Sequence, residues 1–304
     1  MKYLIIGAGG TGGPVAAFLK KGGADVSVIA RGKHLEAIKK NGLTIKKSDG
    51  SEFNVKINAC CEDEYNEKAD VIFVTVKSYS IDSVIPLIRK ASHENTVVIP
   101  ILNIYTTGEY LQKKLPELFV TDGCIYIASS ITDYGVVTMN GEIFRVVFGE
   151  REESGKGAVL DAVAKEMRRC RILAENSKNI KKSALEKYSY VSAMAACGLY
   201  YDCKADLMQK EGKQRETFAQ LIREIVILSE SMGIKFDEDM VERNLKILDN
   251  LAPDASTSMQ RDIEKGRESE IDGLIHTVAR VSREKNLGLH TYEMISDKVK
   301  EIVK

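Results

Sequence analysis

At 304 residues, with 44 basic and 44 acidic side chains, the chain is formally neutral and long enough for two domains with their own cores. That neutrality argues against nucleic acid or an anionic membrane as the main partner, and no stretch approaches the ~20 apolar residues that a bilayer requires. A single lysine precedes an apolar run that ends in glycines, so no secretory leader is expected; six scattered cysteines without CxxC spacing and four distant histidines suggest reduced thiols in a cytoplasmic protein and no metal site.

Residues 3–6 are a continuous apolar run, too short for a helix. Gly7, Gly9 and Gly12 follow in GxGxxG spacing, with Ala8, Gly10 and Thr11 between them, and an apolar helical stretch opens after Pro14. Strand, glycine turn and helix in this order suit a dinucleotide pyrophosphate. The first glycine allows the tight turn, the second admits the phosphates, and the third lets the helix pack on the strand. The helix N-terminus offers N–H groups and a positive dipole end to the anion. A stop follows at residues 20–23, then a second strand over 26–30. At its end NAD-preferring proteins place an acid for the ribose hydroxyls; this chain has Ala30 and Arg31, with Lys33 close behind. Arginine pairs with a 2′-phosphate, so NADP is favoured over NAD.

Residues 34–41 predict a helix. Two alternating segments around Asp49-Gly50 predict a hairpin. Residues 71–76 predict a buried parallel strand, and Lys77 just past its end is either a second phosphate contact or a solvated loop lysine. A helix over 81–90 and a strand over 96–102 follow, ending at Asn103. Further strands over 119–129 and 136–149, with turn signals at Tyr134-Gly135 and Asn140-Gly141, suggest an antiparallel meander added to the parallel sheet. A helix over 156–169 and a strand over 171–174 complete the half, which places the domain boundary at 175/176.

Beyond it the period changes to helical, over 181–201, 213–232, 239–251, 258–284 and 292–304. A mostly parallel sheet followed by a helical domain is a common oxidoreductase plan, with the active site expected in a cleft. Lys187 shares one face of its helix with Val191 and Met194. Such a lysine either snorkels to solvent or, partly desolvated, gives up a proton to an alkoxide. Residues 258–272 form a polar cluster in which Ser258 can cap the helix and Asp262 supports its first turn. The charge run suits a solvated face. Either Glu270 or Asp272, ahead of an apolar stretch, can point into a cleft.

These residues together resemble the ketopantoate reductase (2-dehydropantoate 2-reductase) family over nearly the whole chain. The resemblance rests on GAGGTGG at 7–13, Ala30-Arg31-Gly32, Thr75-Val76-Lys77, Asn103 and Glu186-Lys187. Its most specific piece is SMQRDIEKGRESEID at 258–272. It implies an α/β chain with an N-terminal Rossmann-type doubly wound sheet (1–175, binding NADP), followed by an all-helical C-terminal domain (176–304, substrate and catalysis). It further implies that the glycine loop holds the NADPH pyrophosphate and that Arg31 and Lys77 contact the 2′-phosphate end. Asn103 would lie by the nicotinamide and substrate, Lys187 would be the general acid, Ser258 would bind substrate, and Glu270 would hydrogen-bond at the nicotinamide and substrate end. The implied reaction is reduction of a 2-keto acid, most simply 2-dehydropantoate, and a homodimer is compatible with it. The chain departs from the family at Ile104, where a glycine is usual, and at Val191, Ala195 and Ala255, where asparagines are usual. Those departures keep two alternatives open: a reductase for a less polar keto substrate, and an NADP-binding sensor without turnover.

Overall fold

A computed structural model describes residues 1–152 and 154–302. The chain divides into two units, Met1–Ile180 and Lys181–Lys304. In the first, the elements run β1 (Lys2–Ile6), α1 (Gly12–Lys21), β2 (Asp25–Ile29), α2 (Gly32–Asn41), β3 (Leu43–Lys46), β4 (Glu52–Val55), β5 (Asn58–Cys60) and β6 (Val71–Val74). A 3-10 turn, Ser78–Ser80, leads to α3 (Ile81–Ala91), β7 (Val97–Pro100), α4 (Thr107–Lys114), β8 (Phe119–Val120), β9 (Asp122–Asp133), β10 (Val136–Gly149), α5 (Gly157–Arg169) and β11 (Leu173–Asn176).

Six strands form a parallel sheet in the order β5-β2-β1-β6-β7-β8. Both faces are covered, so its central strands are apolar throughout rather than alternating. Tyr3 and Ile5 of β1 pack with Val15, Ala16 and Leu19 of α1 in one cluster, while Leu4 and Ile6 pack with Val84 and Ile88 of α3 in another. Strand order reverses at β1. From there the chain builds outward through β2 and β5, then returns to the other side of β1 with β6 and continues to β8. Ligands of open α/β sheets bind beyond the carboxyl ends of the strands at such a reversal.

The meander expected at 119–149 differs from the observed arrangement. Phe119–Val120 closes the parallel sheet, and the chain then passes into a second sheet, ordered β11-β10-β3-β4 with β9 paired to β10. The β3–β4 hairpin joins this second sheet through the parallel pair β3–β10. Tyr134-Gly135 does make the β9–β10 turn. Asn140-Gly141 lies inside β10, where the register slips between Met139 and Phe144. Five positions of β10 there oppose two of β9, so three extra residues bulge from the strand, a local role glycine serves as readily as a turn. The last strand begins at Leu173 rather than 171, because Arg171 adopts a left-handed φ of 64°.

The second unit is helical: α6 (Ile180–Tyr200), α7 (Ala205–Gln209), α8 (Lys213–Ser231), α9 (Met240–Asp249), α10 (Ser258–Glu264), α11 (Thr277–Lys285) and α12 (His290–Ile302). The single helix expected over 258–284 is broken. α10 stops at Lys265-Gly266, with Gly266 at φ 61°, and the chain re-enters a helix only through a π-helical turn, Asp272–His276. The charge run from Arg261 to Glu268 hid this break, because a solvated helix and a solvated loop carry the same composition. Buried polar groups tie the helices together. Glu224 of α8 accepts from the Thr291 and Tyr292 N–H groups at 2.8 and 2.9 Å, serving the open N-terminus of α12 from outside. Asn244 of α9 donates to Ser189 of α6 at 2.8 Å.

Helix α1 lies so close to β1 that a Cβ on Gly12 would collide with the Gly7 carbonyl and Thr75 Oγ1. Gly12→Ala is expected to lower unfolding stability by about 1–3 kcal/mol through overpacking, measured by urea titration. An unchanged midpoint at unchanged slope would contradict this packing.

Candidate functional site

The glycine turn leaves β1 at Gly7, whose φ of 106° is open to glycine alone without strain. Its carbonyls are held by three different elements. Thr75 Oγ1, just past β6, lies 2.7 Å from the Gly7 oxygen as donor. Ser129 Oγ of β9 donates to the Gly10 oxygen at 2.6 Å. His34 of α2 bridges the Ala8 oxygen, at 2.9 Å from Nε2, and the Gly135 N–H, which donates to Nδ1 at 3.0 Å. Because Nδ1 accepts, the proton sits on Nε2 and the ring is neutral. This clamp spans 101 residues of sequence between His34 and Gly135, and nothing in the local sequence signals it.

The turn fits a dinucleotide pyrophosphate. A Cβ built on Gly9 meets nothing within 4 Å, so this stretch faces open space. Thr11 makes no side-chain cap at the start of α1, and although the Gly13 N–H donates to the Gly9 carbonyl at 2.8 Å and Pro14 has none, the Gly12 N–H and the positive end of the helix dipole suit an anion. Gly7, Ala30, Thr75 and Ile101 continue the backbone ladder just past β1, β2, β6 and β7, which sets Arg31, Lys77 and Asn103 beyond neighbouring strand ends. Arg31 is exposed at the start of α2, whose first turn holds no acid; that charge arrangement suits a 2′-phosphate. Lys77 precedes the 3-10 turn and is half-buried, as is Asn103. Ile104, where glycine was expected, keeps an ordinary negative φ and buries its side chain, with its carbonyl held by Thr107 Oγ1 at 2.8 Å. Next to it, burial pushes the Tyr105 phenol up to about 12, so the hydroxyl keeps its proton.

In the helical unit Lys187 lies half-buried on α6. Of the two acids left open by the sequence, Glu270 is 3% exposed whereas Asp272 is exposed and 3.5 Å from Arg280. The chain after Glu270 is tied to α6 by Tyr188, whose hydroxyl donates to the Gly273 carbonyl at 2.7 Å. Ser258 is not the helix cap. Thr257 caps α10 by a reciprocal box with Gln260, at 3.2 and 3.0 Å, and Gln260 anchors the helix to the Cys203 carbonyl at 2.9 Å. The Ser258 hydroxyl, half-buried, is thereby left out of the cap. Of the three expected asparagine positions, Val191 and Ala255 are partly accessible, but Ala195 is fully buried. Among the described residues no group of three or more potential ligands could hold a metal, and no helix is long and apolar enough to cross a membrane.

The reversed parallel sheet and the glycine turn define a dinucleotide-binding protein of the Rossmann class. Sequence comparison narrows this. The profile described as "Ketopantoate reductase PanE/ApbA" matches residues 3–153, and its C-terminal counterpart matches residues 179–303. The chain is 28% identical over 277 residues to the uncharacterized oxidoreductase YkpB of Bacillus subtilis, covering 90% of this chain and 89% of that protein. A PanE/ApbA family ketopantoate reductase from Ralstonia eutropha superposes with a TM-score of 0.88 at 22% identity, over 99% of this chain and 98% of the other. D-mandelate dehydrogenase, solved with NADH and anilino(oxo)acetate, superposes with a TM-score of 0.87 at 20% identity, again over 99% and 98%. The protein belongs to the ketopantoate reductase family. It is an NADP-dependent oxidoreductase acting on CH–OH groups, and in the reductive direction an NADPH-dependent keto acid reductase.

The His34 clamp makes its own test. His34→Leu removes both bonds and is expected to raise KM for NADPH roughly 5- to 10-fold, the equivalent of about one net hydrogen bond, with kcat little changed. His34→Gln, whose amide both accepts and donates, should restore most of it. Wild-type KM in the leucine variant would show that the clamp does not hold the turn.

Proposed function

We propose that this protein reduces a 2-keto acid to the 2-hydroxy acid with Lys187 as general acid, and that 2-dehydropantoate is the first substrate to test. The observation that carries the reading is a half-buried lysine on α6 and a buried carboxyl, Glu270, on a segment bonded to that same helix. Bound NADPH supplies the hydride. As the carbonyl carbon becomes tetrahedral, the C=O electron pair moves onto oxygen, and the Lys187 ammonium donates its proton there, leaving a neutral amine and the hydroxy acid. Glu270 accepts a hydrogen bond and orients the reacting end. Ser258, outside the helix cap, donates to the substrate carboxylate, and Asn103 orients the carbonyl with its amide. Gly7 to Gly12 hold the pyrophosphate, while Arg31 and Lys77 neutralise the 2′-phosphate. The first unit, through residue 175 or a few residues beyond, is then the cofactor domain, and the helical remainder the substrate domain.

A second reading keeps the chemistry and changes the substrate. Val191 and Ala255 put apolar groups at partly accessible positions where the family's asparagines meet the keto acid. The same fold holds anilino(oxo)acetate in D-mandelate dehydrogenase. A 2-keto acid with an apolar side chain fits such positions better than one with a hydroxyl, since nothing there answers the hydroxyl.

Lys187→Ala is expected to lower kcat by ~10²–10⁴-fold, followed as the loss of NADPH absorbance. Normal turnover in this variant would remove the general-acid assignment. Arg31→Ala should raise KM for NADPH by at least ~10-fold, as loss of a charge-assisted hydrogen bond would, and leave KM for NADH alone. A panel of 2-keto acids with polar and apolar side chains, at saturating NADPH, separates the two substrates. NADPH binding without oxidation of any of them would identify a sensor.

A further inference from the structure

The turn after Glu270 is irregular in a way the reaction chemistry does not require. In the π-helical turn Asp272–His276 the Thr277 N–H returns to the Asp272 carbonyl, five residues back instead of four. The longer return departs from the regular four-residue pairing of an α-helix, and two buried hydroxyls of α6 bond carbonyls of this turn. Tyr188 donates to the Gly273 oxygen at 2.7 Å, and Ser192 donates to the Leu274 oxygen at 2.7 Å. Tyr292 Oη lies 2.6 Å from Ser192 Oγ. The single Ser192 proton is committed to Leu274, so Tyr292 is the donor in that pair. All three residues are completely or almost completely buried. Tyr188 and Ser192 stand four residues apart on one face of α6, and Lys187 immediately precedes Tyr188. On the other side of the turn, the Leu274 N–H donates to the Glu270 carbonyl at 3.0 Å, so the Glu270 backbone is anchored to the same few residues.

We propose that Tyr188 and Ser192 are positioning residues that set the direction of the Glu270 side chain by holding this turn in its π form. The inference rests on the roles assigned to Lys187 and Glu270 under Proposed function. An inserted residue changes helical phase by about 100° and 1.5 Å. If the turn relaxed to a regular α-helix, Glu270 would swing by that much about the helix axis, away from its present direction. The two hydroxyls favour the π form, because it is in this form that the Gly273 and Leu274 carbonyls meet them at 2.7 Å. They also fasten the segment bearing the carboxyl to the helix bearing the ammonium, so that both groups move with one body.

The test uses the full chain. Exchange of amide hydrogens in peptides spanning 268–278 is followed without cofactor, and kcat is followed with the best 2-keto acid of the panel. Tyr188→Phe and Ser192→Ala are each expected to speed exchange in that segment and to lower kcat by roughly 10- to 100-fold, as for a misplacement of about an ångström, with KM for NADPH little changed. Ser192→Thr, which keeps the donor, should restore both. Tyr292→Phe removes a buried bond but leaves Ser192 on Leu274, so it should lower the melting temperature while kcat and exchange stay near wild type. In a Glu270→Gln background, Ser192→Ala should add little further loss, because the hydroxyl acts through that carboxyl. An impaired Glu270→Gln beside fully active Tyr188→Phe and Ser192→Ala would overturn this proposal and leave the catalytic reading standing. Additive losses from Ser192→Ala and Glu270→Gln would overturn it as well. A fully active Glu270→Gln, or the absence of turnover with every keto acid, would overturn both the proposal and the reading beneath it.

Discussion

The close approach of Gly12 to Gly7 is the constraint on which the cofactor-binding unit depends. With no Cβ between them, α1 rests directly on the end of β1, and its N-terminus is delivered to the carboxyl edge of the sheet at the point where strand order reverses. The turn is then fixed from its carbonyl side. Thr75, His34 and Ser129 reach the Gly7, Ala8 and Gly10 oxygens from an adjoining strand end, a helix and the second sheet. Holding the carbonyls in place before a ligand arrives leaves the opposite side of the turn oriented toward an anion. Less ordering then remains to be done on binding. The second sheet thus has a function beyond packing: through Ser129 and the Gly135 turn it forms part of the support for the dinucleotide loop.

The parts of the fold legible in the sequence are those in which one local signal is sufficient. A short apolar run followed by three spaced glycines has few structural meanings, and β1, its turn and α1 appear where that run places them. The strands at 71–74 and 97–100 were legible for the same reason, since burial on both faces produces uninterrupted apolar runs. The parts that were not legible depend on partners remote in sequence. Whether Asn140-Gly141 turns the chain or bulges within a strand is decided by the register of β9 against β10. Whether a strand after β8 extends the first sheet or begins another is decided by β3, some eighty positions earlier. Short elements such as β5 and α7 carry too few residues for a period to show.

The same division runs through the site. Arg31 and Lys77 follow strand ends, so their candidacy is read from position, whereas the roles expected within 258–272 come from the family resemblance. Of Glu270 and Asp272, between which the sequence does not choose, one is enclosed by the helical unit while the other reaches Arg280 at the surface. The capping role expected of Ser258 falls one residue earlier, to Thr257. The signal was present in the Thr257 to Gln260 spacing, which is that of a capping box. His34 had no such signal. Its importance comes from a tautomer fixed by a residue more than a hundred positions away, which only the folded chain reveals.

The replaced asparagines have unequal meaning once burial is known. Ala195 is fully enclosed on α6, so an apolar residue there belongs to the packing of the unit, whatever the substrate. Val191 and Ala255 are partly accessible, and only these two can change what a ligand meets. A position that hydrogen-bonds a hydroxyl rejects an analogue lacking it by a factor of about 10⁴ or more, because the buried polar group is left unpaired. An apolar position rejects a ligand that differs by one methylene by only ~10–200-fold. Under the proposed chemistry, the polarity lost at these two positions therefore changes breadth before it changes mechanism. The proton donor and the carboxyl are retained, while the groups that would have forbidden an apolar side chain are gone.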